Sequence, residues 1–149
     1  MRAVVQRVKK ASVRVNHEII SQIGRGVLVL IGIGRNEQEE DIDWMTEKIS
    51  GLRIFEDEQG KMNLSVMDIG GEILIVSQFT LFGDCRRGKR PSFSEACPPQ
   101  EAKPIYDRLL KRFEEKGIAV STGIFQAEMD LDLINWGPVT LLLDSRKNF

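Results

Sequence analysis

The chain has 149 residues, 42% of them hydrophobic and 29% charged, with a formal net charge of −1. A chain of this length can withdraw about 70% of its unfolded surface from water around one core, so residues 1–149 read as a single domain. With 13 Gly and 5 Pro, the composition excludes collagen-like and disordered classes. The longest apolar run, Val27–Ile33, falls far short of the ~20 residues that span a bilayer. The opening Met-Arg-Ala-Val-Val-Gln-Arg lacks the apolar block of a signal peptide, and a cytoplasmic protein with no membrane partner is expected. Cys85 and Cys97 lie outside any Cys-x-x-Cys pattern, which excludes a disulfide framework and a four-ligand zinc site. The one histidine, His17, is the only imidazole available to a Ser-His-Asp hydrolase, a Cys-His protease or a metal centre.

In chain order, residues 2–8, 12–15 and 18–23 alternate as strands, with His17 in an exposed turn between the second and third. Residues 26–33 do not alternate, which predicts a strand buried on both faces and an opening β-meander. Asn36 followed by Glu39 has the form of a capping box. Ile42, Met45, Ile49 and Leu52 then share a helical face, with Gly51 near the end. Residues 72–82 read as a strand. A second helix is predicted from about Pro99 to Lys116, with Ile105, Leu109 and Phe113 inward, Gly117 as its stop, and Pro104 limiting how early it becomes regular. Residues 118–121, 128–134 and 139–144 return to strand. The fold class is therefore α+β, with curled antiparallel or mixed sheets, barrel- or sandwich-like, and two main helices.

Charge is unevenly spread. Residues 1–17 carry Arg2, Arg7, Lys9, Lys10 and Arg14 with no acid, and residues 37–47 carry Glu37, Glu39, Glu40, Asp41, Asp43 and Glu47 with no base. Those acids spread around a predicted helix without the convergence a metal ion needs, and read as a solvated face. Arg86-Arg87-Gly88-Lys89-Arg90 forms a basic loop suited to phosphate contacts. Near-neutrality argues against bulk duplex binding and leaves a local grip on one end of a nucleic acid. Neither Gly24-Arg25-Gly26 nor Gly32-Ile33-Gly34, whose third place is Glu37, completes a Gly-x-Gly-x-x-Gly loop, so both read as turns.

Two segments stand out. Ser77, Gln78 and Thr80 interrupt the otherwise apolar run Ile73–Leu81, where each polar group costs about 1–3 kcal/mol if left unpaired. Their partners are either neighbouring strands or a ligand in a pocket; spacing does not choose between the two. In Asn135-Trp136-Gly137-Pro138-Val139-Thr140, the residues alone read as a turn with proline opening the last strand.

In this order and separation, these two segments closely resemble the two motifs of the D-aminoacyl-tRNA deacylase family. Met1–Val8, Leu52–Asp57, Arg90–Phe93, Thr122–Phe125 and Asp144–Arg146 are also similar to that family. There are two departures: Gln126 follows Phe125 where glycine is common, and Trp136 stands where an acidic residue is frequent. The resemblance implies a homodimeric hydrolase that cleaves the ester between a D-amino acid and the 3′-terminal adenosine of tRNA. It also implies that glycine is a further substrate, because such a site rejects L-residues by sterics and does not read the side chain. Carried over residue by residue, Ser77, Gln78, Phe79 and Thr80 form a catalytic strand wall. Gly137 and Pro138, joined by a cis bond, form a chirality-selecting loop that enters the other subunit's site. Phe125 and Met129 hold the terminal adenine, and the substrate's own 2′-hydroxyl helps activate water beside protein backbone groups. No cofactor, metal or DNA partner is implied. Arg86, Arg87, Lys89 and Arg90 are the expected tRNA phosphate contacts.

The residues fit that chemistry. An aminoacyl ester is already activated, so orientation and one or two oxyanion donors suffice without a triad. Two rival classes remain: an RNA 3′-end binding module without turnover, and a thiol enzyme using Cys85 or Cys97, neither of which has an assigned histidine partner.

Overall fold

The computed structural model describes residues 1–149. Residues expected as two strands, 2–8 and 12–15, form one, β1 (Arg2–Val15). The strand continues through the exposed Lys9 and Lys10, and its apolar residues change core just before them, between Val5 and Val8, where its register against the last strand shifts. Ala3 and Val5 pack in the larger core, and Val8, Ala11 and Val13 in a smaller one on the other face of the sheet. The register shift between Val8 and Lys10 leaves two consecutive exposed lysines, which break the alternation and make the strand read as two.

β2 (Glu18–Ile23) and β3 (Gly26–Gly32) both pair antiparallel with β1, in one continuous register from Val15↔Glu18 to Arg2↔Gly32 apart from a bulge near Arg14. They act as one interrupted partner strand, and the expected three-strand meander is replaced by a single long hairpin. Asn16 and His17, both at positive φ, form its two-residue tip, and His17 is exposed as predicted. β6 (Glu72–Ser77) joins β3 in parallel, and β7 (Ala119–Thr122) joins β6 in parallel. β8 (Asp130–Asp144) lies antiparallel to β1 on its other side. This mixed sheet is nearly closed and barrel-like, and Ser21 Oγ donates to the Thr122 carbonyl at 2.8 Å where the curl brings β2 to β7. Gly26 permits the parallel pairing: a Cβ there would sit 1.9 Å from the Glu72 carbonyl oxygen. Its smallness serves strand approach and not a nucleotide loop.

Two helices cover the larger core. α1 (Glu39–Gly51) starts at Gln38, whose amide donates to Asp41 Oδ2 at 2.8 Å. The box is therefore Gln38/Asp41, not Asn36/Glu39; Asn36 is in the preceding turn at φ 59. α2 (Pro99–Glu115) buries Ala102, Tyr106, Leu109 and Phe113, with Ile105 only partly buried, and Pro104 is accommodated inside it. The acids of α1 meet the bases of α2. Arg108 reaches Glu39 at 2.9 Å, Arg112 reaches Asp43 at 2.8 Å, and Lys116 pairs with Glu47. No helix is long and apolar enough to cross a membrane.

Three further expectations are corrected. A small hairpin, β4 (Phe55–Glu56) with β5 (Met62–Leu64), was not foreseen. The strand expected over 72–82 leaves the sheet after Ser77 and becomes a 3-10 turn, Phe79–Phe82. Leu81 and Phe82 pack across the end of β3 instead of continuing the ladder, with Arg2 Nη1 donating to the Leu81 carbonyl at 3.1 Å and the Arg2 guanidinium over the Phe82 ring. Finally, the strands expected at 128–134 and 139–144 are one strand, β8, whose register against β1 slips around Asn135.

Candidate active site

Where β6 gives way to the 3-10 turn, the sheet edge opens into a cavity of about 600 Å³. Ser77, Gln78 and Phe79 form one wall, Phe125, Gln126 and Met129 the facing one, and Pro98, Pro99 and Ala102 from the start of α2 contribute further lining. The structure thus brings Ser77, Gln78 and Phe79 together with Phe125 and Met129, the two residues expected at the adenine, around one mostly apolar space. Thr80, Gly137 and Pro138 do not line it within their own chain.

The polar anomaly of the motif divides in two. Gln78 Nε2 donates to Thr80 Oγ1, so those side chains satisfy one another. Ser77 Oγ lies at the cavity wall without a protein partner. The hydrogen bonding of the 3-10 turn begins with Leu81 N donating to the Gln78 carbonyl at 3.3 Å. The turn therefore leaves the preceding amides, those of Phe79 and Thr80, unused, as at any helix start. Two adjacent free main-chain donors, the first on cavity-lining Phe79, are the kind of group that stabilises a developing oxyanion.

The opposite wall is rigidly backed. Tyr106, not foreseen as a site residue, lies against Phe125 with ring centroids 5.6 Å apart, and its hydroxyl donates to the Ile75 carbonyl at 3.1 Å. Burial pushes its phenol pKa well above the usual value. Lys103 Nζ stands 5.9 Å from the Phe125 centroid. Gln126 adopts φ 65, the left-handed conformation that glycine takes most easily, so this chain keeps a glycine-like backbone at its first departure from the family pattern.

Gly137–Pro138 is a cis bond, as the resemblance implies, and not the ordinary turn the residues alone favour. Asn135 braces the loop. Its Nδ2 donates to the Val139 carbonyl at 3.2 Å and Thr140 Oγ1 at 3.0 Å, while Val139 N donates to Asn135 Oδ1 at 2.8 Å. Gly137 sits at φ 130, and a Cβ there would stand 2.8 Å from Arg7 Nη2 and 2.9 Å from Val139 Cγ2. Arg7 is buried, donates from Nε to the Trp136 carbonyl at 2.8 Å and from Nη1 to the Ile54 carbonyl at 2.6 Å, and forms no ion pair. A basic residue opposite buried apolar neighbours was the only sequence signal for it.

Arg86, Arg87, Lys89 and Arg90 are all exposed on one loop. Asp84 takes Arg86 in a two-pronged pair at 2.9 and 2.7 Å, and the Arg86 hydrogen bonds pull the Asp84 carboxyl to about 2. Asp84 and Ser92 pin the loop base by reciprocal backbone bonds. Phe93, just beyond it, meets Phe79 edge-on at 5.1 Å, which joins the loop to the cavity rim. Cys97 lines the cavity, and burial followed by the Glu101 charge push its thiol pKa up, opposite to what an activated nucleophile requires. His17 is at the remote hairpin tip.

The chain is similar to known proteins along almost its whole length. A sequence profile described as D-Tyr-tRNA(Tyr) deacylase matches residues 4–144. A D-aminoacyl-tRNA deacylase of Thermotoga petrophila is 60% identical over 149 residues, all of both chains. One from Desulfitobacterium hafniense is 58% identical over the same span, again all of both chains. Among solved structures, the c-Myc DNA unwinding element binding protein superposes with a TM-score of 0.92 at 43% identity, covering 97% of this chain and 98% of its own. A probable eukaryotic D-amino acid tRNA deacylase, at 20% identity and a TM-score of 0.77, shares the fold over 95% of this chain and 97% of its own. With the profile covering almost the whole chain and relatives this similar end to end, the chain belongs to the D-Tyr-tRNA(Tyr) deacylase family.

Proposed function

We propose that this enzyme, a D-aminoacyl-tRNA deacylase, hydrolyses the ester joining a D-amino acid, or glycine, to the 3′-terminal adenosine of tRNA. The observation that carries the reading is the make-up of the cavity. It is an apolar space of nucleoside size, backed by Phe125 on Tyr106, with Ser77 Oγ and Phe79 at its wall, the free amides of Phe79 and Thr80 in the turn that follows, and no acid–base pair. The adenine lies against Phe125 and Met129, which places the ester carbonyl by the Phe79 and Thr80 amides. Water, activated with the help of the ribose 2′-hydroxyl, attacks the carbonyl carbon. The oxyanion gathers on the amides, the bond to O3′ breaks, and the proton ends on O3′, giving free amino acid and intact tRNA. Thr80 accepts from Gln78 and has no base beside it, so it keeps the wall in shape instead of attacking.

Gly137 and Pro138 of a second copy complete the site. Two features support a homodimer through this region: β8 pairs on one edge only, and it exposes Ile134 and Leu142 on either side of the loop. A rigid backbone wall excludes the L-side-chain direction for every amino acid, which a pocket shaped for one side chain cannot do. Arg87, Lys89 and Arg90, with Arg86 beside Asp84, hold phosphates of the single-stranded 3′ end. The net charge of −1 suits such a local grip and not a DNA duplex. The protein acts in the cytoplasm as one domain over residues 1–149, without metal or cofactor.

Release of free amino acid from D-tyrosyl-tRNA, L-tyrosyl-tRNA and glycyl-tRNA, measured in EDTA and after thiol alkylation, tests this. D- and glycyl-substrates are expected to turn over and the L-substrate to persist. Binding of all three without release returns the chain to the class of 3′-end binding modules, and loss of turnover on alkylation with the fold intact favours the thiol reading.

A further inference from the structure

We infer that Trp136 and Arg25 are positioning residues for the Gly137–Pro138 loop, with Arg25 acting through the indole. The inference rests on the reading of that loop as the chirality wall. Two guanidinium groups lie against the Trp136 ring, with the Arg7 and Arg25 Cζ atoms 4.8 and 4.6 Å from its centroid. The ring also packs at a tilt on buried Phe55, with centroids 6.2 Å apart. Arg7 touches three consecutive features of the loop: the indole, the Trp136 carbonyl, and the space in which a Gly137 Cβ would stand. A displaced indole therefore carries the Gly137 backbone with it.

Arg25 is the part that the loop motif does not contain. It sits in the step between β2 and β3, where its carbonyl accepts from Glu72 N at 3.1 Å, so its backbone is fixed by the sheet. Its side chain forms no ion pair or hydrogen bond, and the indole face is its one specific contact, at a distance where cation and ring attract. The indole at position 136 offers a ring face that engages both arginines, a contact that a carboxylate there could not make. In this chain the anchorage of the loop thus extends from β1 to the β2–β3 step.

The test compares kcat/KM on D- and L-tyrosyl-tRNA for the wild type, Arg25→Ala, Arg25→Lys, Trp136→Leu and the double variant Arg25→Ala/Trp136→Leu. Arg25→Ala is expected to lower the D-to-L ratio by roughly 2- to 5-fold, the size of an exposed cation–ring contact, and Arg25→Lys to restore most of it. In the Trp136→Leu background, Arg25→Ala is expected to change nothing further. In a Trp44→Phe background, which leaves Trp136 as the only indole, Arg25→Ala is expected to raise iodide quenching of its emission. An unchanged ratio and unchanged quenching, or an Arg25→Ala effect of equal size with and without Trp136, overturns the inference. Gly137→Ala separates the two levels. If it alone alters discrimination, the wall stands and the clamp falls. If it too leaves discrimination untouched, the wall reading fails and the inference fails with it.

Discussion

The acid-rich stretch 37–47 and the base-rich loop 86–90 are both runs of one sign, yet the fold treats them oppositely. In the first, Glu39, Asp43 and Glu47 are met by Arg108, Arg112 and Lys116 of α2, Asp41 closes the start of α1, and Glu37 pairs with the Met1 ammonium at 2.6 Å. In the second, only Arg86 has a carboxylate, supplied by its own loop, while Arg87, Lys89 and Arg90 form no ion pair. A run of like charge is spent on structure when another element supplies the opposite sign. It remains available to a partner when none does. The sharpest way to break the comparison is to reverse Arg87, Lys89 and Arg90 together to Glu. Three lost phosphate contacts are expected to weaken tRNA binding by at least about tenfold at low salt and to flatten the salt slope by about 2, at ~0.7 per single-strand contact, with the melting temperature unchanged. Filter binding across a salt series reads this, and an unchanged slope shows the loop to be inert.

The same contrast explains what was legible in the sequence. Both helices, the hairpin tip at Asn16-His17 and the buried β3 were readable because local periodicity and tertiary burial agree there. The end of β6 was not, because the apolar run is strand-like, yet Leu81 and Phe82 pack across the end of β3 in a turn while Phe79 faces the cavity and Phe93. β1 reads as two strands because two consecutive exposed lysines break its alternation at a register shift. At the site, motif resemblance points to Ser77, Gln78, Phe79, Phe125 and Met129, and the structure gathers them around one cavity. Tyr106 and the Arg7–Trp136 contact were missed, because supporting residues contribute through tertiary neighbours that no local pattern reports. The acid stretch reads as a solvated face for the same reason: its partners lie some 70 residues away, as in the Arg112–Asp43 and Lys116–Glu47 pairs.

A second, intermediate effect sharpens the structural half of the comparison. Asp144 is buried at the end of β8. Burial alone would raise its pKa, but hydrogen bonds from Asn148, the Arg146 amide and Arg2, with the nearby terminal ammonium, hold it below 3.8. Asp41 is likewise lowered, with burial again opposed by the Gln38 amide and Ser145. A depressed folded-state pKa gives stability that is complete above the unfolded value and is lost as pH falls through the folded one. Melting temperature is therefore expected to be flat from pH 7 to about 5 and to fall below pH 4. Asp144→Asn should lower the plateau and reduce the acid slope. An acid slope identical in the variant removes Asp144 from the account.

The smallest expected effect is at the helix pair, and its smallness is what the comparison requires. Arg112 reaches Asp43 at 2.8 Å, Glu115 at 3.4 Å and Glu39 at 3.6 Å, and Asp43 above all, with Glu115, raises its pKa. All four side chains are 40% or more exposed, so water and salt screen the attraction, and side-chain entropy offsets much of it. Arg112→Ala is therefore expected to lower the melting temperature by only about 2 °C at low salt, with the difference vanishing near 1 M salt. tRNA affinity and its salt slope should stay unchanged, because this arginine is already matched within the fold. If Arg112→Ala instead weakened tRNA binding as strongly as a change in the 86–90 loop, matched and unmatched charge would be serving the same partner. The division between a structural run and a binding run would then not hold.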